Sequence, residues 1–177
     1  PGAVLVLDIE QNDKGAASRW RKLLRGLGLQ TVPGGLYLAF DWPPVDDGGL
    51  ERIADFVAEH PSVRLVVIDT LGDLKGDATG GDAYQSDTKE MRKFTRLAKD
   101  YGIALLVITH DRKTQGGVQD AFSDRASGSR AIPGKALARW NLRRNDFEPT
   151  GVLLASGKNI PEAKINLTFD TDSMSWR

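Results

Sequence analysis

The sequence predicts an α/β fold: a mostly parallel sheet flanked by helices, with a C-terminal antiparallel extension. Three observations predict it. Apolar runs of strand length alternate with helical patterns from the N-terminus to His110, the β-α-β-α order that gives parallel strands joined by right-handed crossovers. The runs are almost wholly apolar rather than alternating, as in strands covered on both faces. After a polar, Gly-rich stretch, the pattern changes to short strand-like runs with no helix between them.

The elements follow in order. Ala3–Ile9 (AVLVLDI) reads as the first strand, and DKGAASRWRKLLRGLG as a helix with Trp20, Leu23, Leu24 and Leu27 in helical spacing and Gly28 as its stop. Leu36–Phe40 is a second strand, followed by the helix DGGLERIADFVAEH. Val63–Leu71 is a third buried strand; a Gly/Asp-rich loop then leads to a helix from about Tyr84 to Tyr101. Ile103–His110 is a fourth strand. The loop from Asp111 to Ser129 precedes KALARWNLRR, GVLLAS and KINLTF, the runs of the antiparallel extension.

Length and composition set limits. A chain of 177 residues with 40% hydrophobic content fits one domain with a sizeable core, and no linker is long enough to divide it. With no cysteine, disulfides and thiolate metal sites are excluded. Nothing resembles a signal peptide or a membrane span, so a cytoplasmic protein without membrane contact is expected. Pro1 rather than Met stands almost directly before a strand, which suggests a piece of a longer chain.

The net charge of zero hides an asymmetry. Residues 1–88 hold 8 Lys/Arg against 14 Asp/Glu, residues 89–144 hold 13 against 5, and residues 145–177 hold 3 against 5. A basic stretch is either a solvated helix face or a phosphate-binding surface, and here it continues from a helix into a loop.

In parallel α/β sheets ligands bind beyond the carboxyl ends of the strands, which singles out Glu10, Asp69 and His110. Asp69 ends an apolar strand, as a Walker B carboxylate does when it holds Mg²⁺ through water; the alternative is a turn cap. Glu10 ends another and is placed to polarise an attacking water, or to cap the following helix. His110 ends a third, where it would hydrogen-bond a terminal phosphate or serve a structural role.

Taken in order, VLVLDIEQ…SRWRKLL, RLVVIDTLGDL, YGIALLVITHDRK, RASGS and SGKNIPEAKINLTFD resemble the RecA-like P-loop NTPase core of RepA-type plasmid and phage replicative helicases, relatives of the DnaB-type hexameric helicases. The resemblance covers nearly the whole chain, as one RecA-like ATPase domain over residues 1–177. It implies an ATP- and Mg²⁺-dependent, ring-forming DNA helicase, most simply a hexamer, with Glu10 as catalytic glutamate, Asp69 as Walker B aspartate with Thr70 beside it at the nucleotide, and His110 as sensor of the γ-phosphate. The family commonly shows a His-His pair before a basic pair. Here Thr109 takes the first position, while Arg112 and Lys113 match the basic pair. The segment from Asp111 to Ser129 would then face the central channel, where single-stranded DNA passes, with Arg112, Lys113, Arg125 and Arg130 as nucleic-acid contacts.

Two further charges would act across a subunit boundary. The Arg-Trp pair places Arg139 as the arginine finger, with Arg125 and Arg130 as rivals, and SGKN places Lys158 as a second trans contact.

The resemblance also bears on SGSRAIPGKA (127–136), which imitates a phosphate-binding loop. Counting back from Gly134, Ser129 stands where G-x-x-x-x-G-K-[ST] needs glycine, and Ala136 replaces the Mg²⁺-binding hydroxyl. A working loop joins the first strand to a helix, whereas this one follows the sensor strand, so it is a decoy. In the family the true loop lies upstream of the strand that begins this chain, which implies that the Walker A strand, loop and helix are missing. The alternatives to a helicase are a non-catalytic RecA-like module, acting as loader or assembly partner, and a recombination or repair ATPase on the same fold.

Overall fold

The computed structural model describes residues 2–10, 13–75, 83–110, 135–144 and 147–177. They fall into two compact units: Pro1–Ala16 with Pro33–Ile132, and Ala17–Val32 with Pro133–Arg177.

The first unit is built on a four-stranded parallel sheet in the order β2-β1-β3-β4, with β1 Ala3–Asp8, β2 Leu36–Ala39, β3 Val63–Asp69 and β4 Ala104–Val107. Leu5, Val6 and Leu7 are all buried, which explains the continuous apolar run: a central parallel strand has no solvent face on which to place polar residues. Helix α2 (Gly49–Glu59) buries Leu50, Ile53 and Val57, and α4 (Ala83–Tyr101) buries Met91, Phe94 and Leu97, each set at helical spacing. These side chains join Leu5, Leu7, Val66 and Ile68 in a single apolar core. At roughly 1.5–3 kcal/mol for each fully buried large apolar side chain, this cluster is what holds the strand tips in place.

Two of the expected strands end early: Ile103–His110 is a strand only over Ala104–Val107, which leaves His110 three residues past its end, and Val63–Leu71 stops at Asp69. β3 stops at Asp69, because the Leu71 N–H turns away to Ile108 O (2.9 Å) and Leu71–Lys75 coil into a short helix, α3, whose Leu71 and Leu74 join the core. Leu71 is therefore apolar as a helix residue facing the core, which an apolar run alone does not distinguish from a strand.

The second unit holds the antiparallel extension as a sheet in the order β5-β6-β7-β8: β5 Ala138–Arg144, β6 Thr150–Gly157, β7 Ala163–Asp170 and β8 Ser175–Trp176. The last strand, only two residues long, carried no sequence signal. The remaining helix, α1 (Asp13–Gly26), ends as its glycine predicted. Gly28 takes φ +73°, and the N–H groups of Gly28 and Leu29 bond back to Arg25 O (2.9 Å) and Leu24 O (2.8 Å). This reversal closes the last helical turn and requires the left-handed conformation that glycine tolerates.

Candidate active site

The carboxyl ends of β1, β3 and β4 carry the candidate chemistry. The N–H groups of Ile9 and Glu10 both donate to Asp69 O, at 2.9 and 3.2 Å, and Ile108 N–H donates to Ile68 O at 2.9 Å. The chain leaving each strand is thereby tied to the neighbouring strand, and the side chains that follow project from one rim. There the side chain of Glu10 meets that of His110, 100 residues away in sequence, with 3.0 Å between Oε1 and Nε2. An ionised carboxylate only accepts, so the imidazole Nε2–H is the donor.

Asp69 ends β3 beside this pair. Thr70, next in the chain, is 3% exposed, and its hydroxyl donates to Asp73 Oδ2 at 2.6 Å, at the start of α3. Four candidates read from the sequence, Glu10, Asp69, Thr70 and His110, thus lie along one rim of one sheet.

Two residues escaped the sequence reading. Asp8 is 1% exposed and stands in register with Asp69 on the adjoining strand, placing a second carboxylate beside the first. Its signal was available: a charge within an otherwise apolar run, two residues before Glu10. Asp73, which receives the Thr70 hydroxyl, carried no signal beyond its position in a polar loop.

Among the described residues no group of three or more His, Cys, Asp or Glu side chains forms a metal cage. That donor set still suits Mg²⁺. This ion prefers oxygen, keeps several waters, and is commonly held by one or two carboxylates together with substrate phosphates. Asp69, with Asp8 beside it, supplies such carboxylates.

In the second unit, Arg139 on β5 lies opposite Ser156 on β6. The Lys158 N–H donates to Leu137 O at 3.0 Å, which carries the same register one step beyond the Ala138–Gly157 pair. Lys158 lies one residue past the end of β6, so it and Arg139, near the start of β5, stand at the same end of one hairpin. Gly157 permits this closeness: a Cβ there would sit 2.6 Å from Leu137 O. Arg112, Lys113, Arg125 and Arg130 lie outside the described residues.

A family model described as an AAA domain matches residues 1–116. The chain belongs to the AAA domain family. A search of curated proteins finds no match. Among solved structures, the chain is similar to an ATPase domain, with a TM-score of 0.77 at 10% identity over 99% of this chain and 74% of that one. It is also similar to a DnaB-like replicative helicase described with its primase interactions, with a TM-score of 0.74 at 12% identity; the match takes 99% of this chain and spans 50% of the helicase. A third likeness is to the RadB recombinase, with a TM-score of 0.63 at 14% identity over 98% of this chain and 77% of that one. The fold of this AAA domain chain is therefore RecA-like, a parallel sheet with helices and a separate antiparallel sheet at the C-terminal side, as the sequence predicted.

Proposed function

We propose that this chain is the ATPase core of a DNA helicase or translocase of plasmid or phage replication, a cytoplasmic protein that hydrolyses ATP between the subunits of a ring, most simply a hexamer. The observation that carries the reading is the meeting of Glu10 with His110 on the rim that also bears Asp69 and Thr70. A carboxylate, a histidine and a metal-suited aspartate at adjoining strand tips are the groups that phosphoanhydride hydrolysis needs.

In this reading Glu10 takes a proton from the attacking water as the water oxygen bonds to the terminal phosphorus and the bond to the ADP oxygen breaks. His110 donates to the phosphate. Asp69 would hold Mg²⁺, whose positive charge offsets that of the phosphate oxygens, and Thr70 lies beside it. Arg139 and Lys158, at one end of a hairpin, suit a pair of charges offered to a neighbouring subunit's nucleotide. Arg112, Lys113, Arg125 and Arg130 would contact single-stranded DNA. Residues 1–177 contain no G-x-x-x-x-G-K-[ST] segment, so the phosphate loop would be supplied by a segment outside them, completing one RecA-like domain. Among the described residues no helix is long and apolar enough to cross a membrane.

The likeness to the RadB recombinase favours one second reading, a recombination or repair ATPase on the same core. The test is to measure Mg-ATP binding and DNA-stimulated hydrolysis with and without the phosphate-loop segment, followed by strand displacement and homologous pairing assays. The proposal expects binding and hydrolysis only with the segment, and displacement of a paired strand. Pairing without displacement would support the second reading, and a complete protein that binds no nucleotide would overturn both.

A further inference from the structure

We propose that the layer formed by α2 and α4 is a self-association surface, and that its partner is a second copy of this chain turned over about a two-fold axis parallel to the two helices. The acidic ridge of α2 in each copy faces the basic ridge of α4 in the other.

The topology puts both helices on one side of the first sheet. In the order β2-β1-β3-β4, the crossovers from β2 to β3 and from β3 to β4 run in the same direction, and right-handed crossovers in one direction lie on one face. There the two helices pack together, and Ile53, Val57, Met91 and Phe94 enter the same core. On the side of α2 opposite its buried residues stand Glu51, Asp55 and Glu59, and on the corresponding side of α4 stand Lys89, Arg92, Arg96 and Lys99. All seven are exposed.

The charges are sorted by helix, which local physics does not favour. A solvated helix gains from opposite charges at i and i+4 and loses from like ones. α2 instead stacks Glu51, Asp55 and Glu59 in one row, and Glu59 stands in the last turn, at the negative end of the helix. α4 stacks Arg92 on Arg96 and Lys89 on Lys93. Among the described residues, the one ion pair made by any of the seven is Arg96 with Asp100 inside α4, at 3.3 Å.

Two ridges of opposite sign, side by side on one layer, are complementary to themselves. Both point out of the same layer, so a copy that meets one must be turned over, and turning it about an axis parallel to the helices also sets its other ridge over the remaining one. Both pairings form at once, in a closed two-fold dimer. A head-to-tail ring contact joins two different faces instead. The two-fold contact is therefore separate from ring assembly, and it involves no nucleotide. Because charges rather than apolar side chains meet across it, it is weak and sensitive to salt.

Sedimentation of residues 1–177 without nucleotide, at concentrations up to about 1 mM, tests the proposal. The wild-type chain should form dimers at low salt that dissociate as rising ionic strength screens the charges. Arg92→Glu with Arg96→Glu makes both ridges acidic, and Glu51→Lys with Asp55→Lys makes both basic. Each altered residue acts twice in a two-fold dimer, so either variant alone should lose about tenfold or more in self-association. Mixed one to one, the two variants should recover a dimer and nothing larger, and a chain carrying all four reversals should dimerise with itself. Such recovery also shows that the variants are folded. A wild-type chain that stays monomeric throughout, self-association that neither variant weakens, or a loss that mixing does not recover would overturn the proposal. So would mixtures that grow beyond the dimer, the mark of a head-to-tail contact. If Arg92→Glu with Arg96→Glu weakens binding to single-stranded DNA and leaves self-association unchanged, the α4 ridge serves a polyanion and the dimer is wrong.

Discussion

Asp8 and Asp69 occupy matching positions at the ends of neighbouring parallel strands, the first fully buried and the second half-buried. Their positions predict different roles. Asp8→Ala should destabilise the protein by about 1–3 kcal/mol in urea unfolding, since it strips a buried polar group from its neighbours. Asp69→Asn should leave stability closer to wild type and instead raise the Mg²⁺ concentration needed for nucleotide binding in the complete protein. The reverse pattern would assign the metal to Asp8.

Glu10→Gln should lower ATP hydrolysis by roughly 10²–10⁴-fold, the usual contribution of a general base, while leaving nucleotide binding largely intact. Rapid-quench hydrolysis beside calorimetric binding separates the two effects, and a proportional loss of both would make Glu10 structural.

Double substitution of Arg112 and Lys113 by alanine should flatten the salt dependence of single-stranded DNA binding, by a slope of about 0.7 for each phosphate that is no longer neutralised. Fluorescence anisotropy across a salt series measures it. An unchanged slope would remove both residues from the DNA path.

If Arg139 acts in trans, Arg139→Ala and Glu10→Gln subunits, each inactive alone, should regain activity when mixed. A site whose nucleotide is held by the first and whose arginine comes from the second is complete. Mixed assemblies that form but remain at background would shift the role to Arg125, Arg130 or Lys158.

The carboxyl of Asp170, at the turn from β7 to β8, lies below the ordinary carboxylate range, chiefly through a hydrogen bond from the Ser173 side chain and then through the backbone N–H groups of Asp172 and Ser173. A carboxyl with a lowered folded-state pKa adds stability that is present above its unfolded value and fades as pH falls through the folded one. The Tm advantage of wild type over Asp170→Asn should therefore be largest near neutrality and shrink below about pH 4. A constant gap across that range would mean the charge contributes nothing.

Much of the first unit was legible because its strands are buried on both faces and read as unbroken apolar runs, and because a carboxylate or histidine at the end of such a run marks the rim. Asp69 was placed at the rim in this way, whereas His110 reaches it from three residues past the end of β4. Asp8 was missed, because a single charge inside the run was absorbed into the strand; only the register with Asp69 gives it meaning. Leu71 was misassigned because burial in a short helix and burial in a strand leave the same trace in so few residues. That Arg139 and Lys158 stand at the same end of a hairpin depends on a register that no spacing in the sequence specifies.

The double hydrogen bond that Asp69 O receives from Ile9 and Glu10 makes the two strand tips behave as an anvil. The backbone of one tip cannot advance or retreat without dragging that of the other. If both serve hydrolysis, the cycle cannot be timed by the anvil flexing. The timing must come from what is brought down onto it: the nucleotide, the rotamers of the rim side chains, and whatever a neighbouring subunit delivers. Substitutions that stiffen the sheet beneath should then leave turnover unchanged, while those that slow the arriving parts should govern it.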